Sequence, residues 1–154
     1  MLIGIVGKPS SGKSTFLNAA CLLEVKTGNY PFTTIDPNIG TSFVKKKCVC
    51  NELNVNDNPN NSICEAGNRF IPVKLLDVAG LVPEAHSGKG MGFKFLSDLS
   101  RADVLIHVVD FSGGLDAEGN EIKDGNRDPL KDIQFLENEI DFWFRDILMR
   151  KDWN

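Results

Sequence analysis

The sequence predicts an α/β fold built on a largely parallel sheet, and three observations lead there. Short apolar strands alternate with helical periodicity along 154 residues. The opening run MLIGIV passes straight into a glycine-rich turn, GKPSSGKST at residues 7–15, and from it into FLNAACLL. Farther on, the apolar run LLDV ends in a second glycine-rich stretch, AGLVPEAHSGKGMGFKF.

Each element follows in order. Residues 2–7 read as a buried strand rich in Ile and Val, and residues 14–23 as a helix opening at Ser14. Residues 24–40 form a loop punctuated by Pro31 and Pro37, the second forcing Asp36 toward extended geometry. A strand runs through TSFVKKKCV, where Lys45, Lys46 and Lys47 read as a solvated sheet edge rather than an RNA grip. NELNVNDNPNNS is a surface loop by composition. RFIPVKLLDV returns as a strand, its Pro72 suggesting an edge or an early position. A short helix near 93–101 precedes the buried strand DVLIHVVD. FSGGLDAEGNEIKDGNRD is loop, and its acidic residues lack the spacing of a calcium-binding EF-hand. The clearest helix spans 129–150: Asp128 can cap it, Pro129 suits its first turn, and Leu130, Ile133, Leu136, Ile140, Trp143 and Ile147 form one apolar stripe. Three or four strands are in view, and a chain that stops on such a helix reads as the front part of a longer protein.

A net charge of −4 argues against a chain that coats nucleic acid or an acidic membrane. No signal peptide precedes the first strand, and no apolar run approaches the ~20 residues of a membrane span. The cysteines fit a reduced, cytoplasmic protein. Cys21 reads as core. Cys48, Cys50 and Cys64 could gather a metal, but C-x-C with a distant third differs from paired C-x-x-C, and reduced loop thiols are the favoured reading.

The chemistry sits in the glycine-rich stretches. Gly7 to Ser14 fits G-x-x-x-x-G-K-[ST] with a strand before and a helix after. Its glycines let backbone N–H groups turn toward phosphate oxygens, and the helix start adds unpaired donors. Lys13 can reach the β- and γ-phosphates, and the Ser14 hydroxyl can bind Mg²⁺. In YPFTT, Thr33 and Thr34 lie on a long loop where a threonine hydroxyl can join the Mg²⁺ shell when a γ-phosphate is present. In LLDVAG, Asp77 ends a strand, where its carboxylate can hold a Mg²⁺ water, and the Gly80 N–H can meet the γ-phosphate. A small-molecule kinase would need a lid with arginines, and residues 81–128 offer only Arg101 and Arg127.

GKPSSGKST, NYPFTTIDPNIG and DVAGLVPEAHSGKGMGFKFL together resemble the Obg-like P-loop GTPases, whose mark is a glycine-rich run directly after D-x-x-G. Within them the chain looks most like the YchF group, in particular its archaeal and fungal branch. The resemblance implies a Ras-like (TRAFAC) P-loop NTPase, a three-layer sandwich incomplete at its C-terminus. Residues 1–128 would be the N-terminal part of the G domain and 129–154 the start of a helical insertion. The implied nucleotide-binding set is Gly7, Pro9, Ser10, Ser11, Gly12, Lys13, Ser14, Thr15, Thr33, Thr34 and Gly80, with Ser14, Thr34 and Asp77 holding Mg²⁺. Leu81 stands where Ras-like enzymes carry a catalytic glutamine and cannot orient water, so Gly80 and His86 are the implied catalytic candidates. Ser10 stands where several relatives carry a potassium-binding asparagine, and Glu84 where a small glycine is usual.

The base-reading N-K-x-D motif, its ATP-linked N-x-x-E variant and the TGS domain of the family are absent from these residues. The phosphate-binding parts therefore speak for a triphosphatase without choosing its base. The reading is a Mg²⁺-dependent hydrolase of GTP acting as a switch on the ribosome or translation machinery, with no membrane or DNA partner. The alternatives are an ATP-preferring enzyme and a nucleotide-gated binding module with negligible turnover.

Overall fold

A computed structural model describes residues 1–21, 38–85, 92–123 and 125–149 of the chain. β1 (Leu2–Val6) leads through residues 7–12 into α1 (Lys13–Cys21). β2 (Ile39–Lys47), the one-turn α2 (Cys50–Leu53), β3 (Ile63–Glu65) and β4 (Asn68–Asp77) follow. α3 (Gly92–Arg101), β5 (Val104–His107) and the long α4 (Leu130–Met149) complete the described order. The one-turn α2 lies inside the stretch expected to be loop throughout. Its four residues are too few for a sequence period to show, and Asn54 ends it in the left-handed conformation.

The strands form one sheet in the order β2-β4-β1-β5, with β3 also paired to β4. β4, β1 and β5 are parallel, as expected of strands joined by helical crossovers. β2 runs antiparallel along the whole of β4, from Ile39 opposite Leu76 to Lys47 opposite Asn68. The other edge of β4 is shared: β1 pairs with Lys74–Asp77 and β3 with Asn68–Phe70. Pro72 falls in the gap between them, on a stretch paired with β2 alone. A residue without an N–H is tolerated inside this strand because one of its edges is locally free.

Alternation along the central strands sends apolar side chains to both faces. Ile5, Val73 and Leu75 pack with Leu17 and Ala20 of α1 on one face. Val6, Leu76, Val78 and Leu81 pack with Phe95 and Leu99 of α3 and Leu136 of α4 on the other. The result is three layers, helix on sheet on helix. Asp128 caps α4 as the sequence predicts, its carboxylate accepting the Leu130 N–H at 3.0 Å. The packed face of α4 keeps Leu136, Ile140 and Trp143 of the expected stripe but departs from it elsewhere. Leu130 is exposed, and the buried positions are Asp132, Leu136 and Glu139. Two acids on a buried face need partners: Asp132 finds Lys8 of the phosphate loop, and Glu139 the Glu84 N–H. Among the described residues, no helix is long and apolar enough to cross a membrane.

Candidate functional site: a phosphate loop braced by buried charge

Residues 7–12 turn the chain from the end of β1 into α1. Gly7 has φ +152°, and a Cβ there would lie 2.4 Å from the Val108 carbonyl oxygen, so no side chain fits. Ser10 takes φ 61°, a left-handed conformation for a residue with a side chain. Lys13 is buried at the helix start and donates from Nζ to the Lys8 carbonyl oxygen at 2.7 Å across the loop. Burial lowers the pKa of its ammonium, and the Asp77 carboxylate opposes that shift. Ser14 and Thr15 stand exposed on the first turn of α1.

The second glycine-rich stretch begins directly against this loop. The Ser14 hydroxyl donates to Asp77 Oδ2 at 2.5 Å, joining residues 63 positions apart. The other oxygen, Asp77 Oδ1, is buried and has no hydrogen-bond partner among the described residues. The Leu81 N–H donates to the Gly7 carbonyl oxygen at 3.0 Å, and a Cβ on Gly80 would sit 3.0 Å from Pro9. Gly80 is thus held flush on the phosphate loop, where only a hydrogen side chain avoids pressing on Pro9. Leu81 is fully buried in the α3–α4 core, so its side chain points away from the loop. Ser11 Oγ is a further buried hydroxyl with no partner among the described residues. Gly7, Pro9, Ser10, Ser11, Gly12, Lys13, Ser14, Thr15, Asp77 and Gly80 are therefore gathered around one loop. Thr33, Thr34 and His86 lie outside the described residues.

Sequence reasoning missed the brace beneath the loop. Lys8 is 3 % exposed, and its Nζ meets Asp132 Oδ2 at 2.8 Å, the Leu115 carbonyl oxygen at 3.0 Å and Asp110 Oδ2 at 3.3 Å. One hydrogen-bonded carbonyl and two ion-paired carboxylates thus surround the ammonium. Asp132 also takes Arg127 Nε at 3.0 Å, so both of its oxygens are paired with cations. The Ser112 hydroxyl, backbone N–H groups of Ser112 and Leu115 and the Lys8 ammonium hold Asp110 below the usual carboxylate range, against the cost of desolvation. Higher on α4, Glu139 Oε1 accepts the Glu84 N–H at 2.9 Å. The signal available in sequence was slight: one lysine at a variable position of the motif and an acid interrupting an apolar stripe.

The arrangement offers a glycine-rich turn at a helix N-terminus, the buried Lys13 ammonium and a hydroxyl–carboxylate pair, the parts that grip a triphosphate and a hard cation. The model of the 50S ribosome-binding GTPase family matches residues 2–139. The chain belongs to that family. It is 55% identical over 153 residues to an uncharacterized GTP-binding protein of Methanocaldococcus jannaschii, covering 99% of this chain and 38% of that protein. The crystal structure of a GTP binding protein from Pyrococcus horikoshii OT3 superposes with a TM-score of 0.71 at 39% identity, covering 97% of this chain and 35% of that one. The Schizosaccharomyces pombe YchF GTPase superposes with a TM-score of 0.53 at 28% identity, covering 91% and 35% respectively. The family is thus the Obg-like, YchF-type branch of P-loop GTPases that the motifs resemble, and the chain spans less than two fifths of these relatives' length.

Proposed function

We propose that this chain carries the phosphate-gripping half of a Mg²⁺-dependent GTP hydrolase whose nucleotide state governs docking to the translation machinery. One observation carries the reading: the Ser14–Asp77 contact at 2.5 Å, with the second Asp77 oxygen buried and unpartnered among the described residues. An all-oxygen pair with a spare acceptor beside a phosphate loop suits Mg²⁺, which binds one or two protein oxygens and completes its shell with water and phosphate. Ser14 would hold the ion directly, Asp77 through a water, and Thr34 would join when a γ-phosphate is present. Bound there, the ion would neutralise charge developing on the phosphates. Lys13 would exchange its bond to the Lys8 carbonyl for phosphate oxygens, and the Gly80 N–H would face the γ-phosphate.

The fully buried Leu81 favours a second reading, a nucleotide-gated binding module with little turnover of its own. No side chain at that position reaches the loop, so water positioning falls to His86 or to a partner's residue. Phosphate release from GTP, measured with and without ribosomes, separates the two. Strong stimulation by ribosomes supports a partner-completed enzyme, and binding without turnover in either case supports the module.

The metal assignment is tested by binding of GDP and a non-hydrolysable GTP analogue over a Mg²⁺ series. Ser14→Ala is expected to weaken the Mg²⁺-dependent binding of both nucleotides. Thr34→Ala is expected to weaken only the triphosphate, and equal losses would make Thr34 a plain turn residue.

A further inference from the structure

At the opposite end of β4 from Asp77, the sheet runs out into a small lobe with little core. Its elements are the four residues of α2 and the three of β3, and its apolar side chains Val49, Leu53 and Val55 are exposed. So little apolar burial does not hold such short pieces in place. What the lobe buries instead is sulfur. Cys48 follows β2, Cys50 opens α2, and Cys64 lies in β3 opposite Arg69 of β4. Their Sγ atoms all lie within 4.8 Å of one another, with Cys50 and Cys64 3.5 Å apart. Four ligands about 2.3 Å from a tetrahedral centre place sulfurs ~3.8 Å from each other.

The surroundings are not those of thiols packed as small hydrophobes. Cys48 Sγ lies 3.0 Å from Asp57 Oδ2, and Asp57 is ion-paired with Arg69. Arg69 also points Nη2 at Cys48 Sγ, 3.6 Å away, and donates from Nη1 to Ser62 Oγ at 3.3 Å. A carboxylate and a guanidinium converging on clustered sulfurs gain nothing from apolar packing. They are what a cation with an anionic ligand set requires. The site is separate from the phosphate loop and owes nothing to the nucleotide reading.

We propose that Cys48, Cys50 and Cys64 bind one zinc ion as thiolates, with the Asp57 carboxylate, which lies beside Cys48 and outside the sulfur triad, moving in as the fourth ligand and Arg69 offsetting the charge. Three S–H bonds break, three Zn–S bonds form and the protons leave to solvent. With the Asp57 carboxylate the centre carries two net negative charges, one of which Arg69 balances. The ion pins α2 and the loop after it to the β3–β4 hairpin, replacing the core that the lobe lacks. Four ligands from the protein leave no open position, so the centre is structural.

The test uses the full chain purified under reducing conditions without chelator. Elemental analysis should find about one zinc per chain, and Co²⁺ added to metal-free protein should show the intense visible bands of a tetrahedral site with thiolate charge transfer. Cys50→Ser should weaken Zn²⁺ binding by more than about 100-fold, and Arg69→Gln, which leaves every ligand in place, by about 10–100-fold. Asp57→Asn keeps the shape of the side chain, removes its charge and should also weaken binding at least about tenfold, so the site is testable even if the cysteine variant fails to fold. The proposal is overturned by zinc-free protein with an octahedral Co²⁺ spectrum. Parent-like affinity in Cys50→Ser or in Asp57→Asn overturns it equally, as does a Cys50–Cys64 disulfide in the reduced preparation.

Discussion

Lys8 shows how much a single residue of a binding motif can owe to parts of the chain that the motif does not contain. Its ammonium is buried against Asp110 and Asp132, each too far along the sequence to be linked to it by local pattern. The ammonium is paired, so its burial is tolerated, but removing it leaves Asp132 with Arg127 alone among the described residues and Asp110 with its Ser112 and Leu115 donors. Breaking a buried pair in this way costs about 3–5 kcal/mol, more than the pair itself contributes over an apolar replacement. Lys8→Met is therefore expected to destabilise the fold by about 3–5 kcal/mol in denaturant unfolding. The double variant Lys8→Met, Asp132→Leu should recover part of that loss. A Lys8→Met change within about 0.5 kcal/mol of the parent would mean that the ammonium is hydrated and the brace does not exist. The residues whose gathering could be read from sequence, Gly7, Pro9 to Ser14, Asp77 and Gly80, are those whose spacing is set by a local turn or a strand end. Lys8, Asp110, Asp132 and Asp57 were not legible, because their roles come from tertiary contacts and a lone acid or lysine reads as a solvated surface residue.

At the scale of elements, α4 carries the clearest periodicity, and its packed face keeps Leu136, Ile140 and Trp143 of the apolar stripe while adding two acids that the stripe omits. Counting only apolar positions included Leu130, which is exposed, and left out Asp132 and Glu139, which are buried. The helix docks through Leu136, with Phe135, Ile140 and Trp143 around it, against Phe95 and Leu99 of α3. Leu136→Ala is expected to cost about 2–5 kcal/mol in denaturant unfolding. Leu148, 68 % exposed on the same helix, should tolerate alanine within about 0.5 kcal/mol. The reverse order would place the docked face elsewhere. The Glu139–Glu84 contact ties this helix to the segment after Gly80. The bounds of four strands were legible to within about three residues, since buried strands are short continuous apolar runs, whereas the three-residue β3 was not. The one-turn α2 and the tolerance of Pro72 were not, because both depend on which strand stops where beside β4.

For the molecule as a whole, the layered sheet does one thing above all: it brings two glycine-rich stretches from different strands into contact. β1 and β4 are neighbours in register, so the loop after Val6 and the turn after Asp77 emerge side by side at the same sheet end. The opposite end of β4 holds the cysteine cluster, about 30 Å of strand away. Nucleotide chemistry and the proposed zinc staple are thus assigned to opposite ends of one strand, and either can be perturbed with the other left in place. On the proposed reading the contacts around Gly7–Ser14 would address phosphate and Mg²⁺, which GTP and ATP share. In the proposed bound state Lys13, buried at the start of α1, faces phosphate. Calorimetry of Mg²⁺–GTP binding to the parent chain and to Lys13→Ala tests this claim most directly. Loss of a charge-assisted contact predicts weaker binding by about 1.5–3 kcal/mol, with an unchanged fold by circular dichroism. Equal affinity in the two proteins would contradict the claim and leave the glycine-rich turn a structural feature alone.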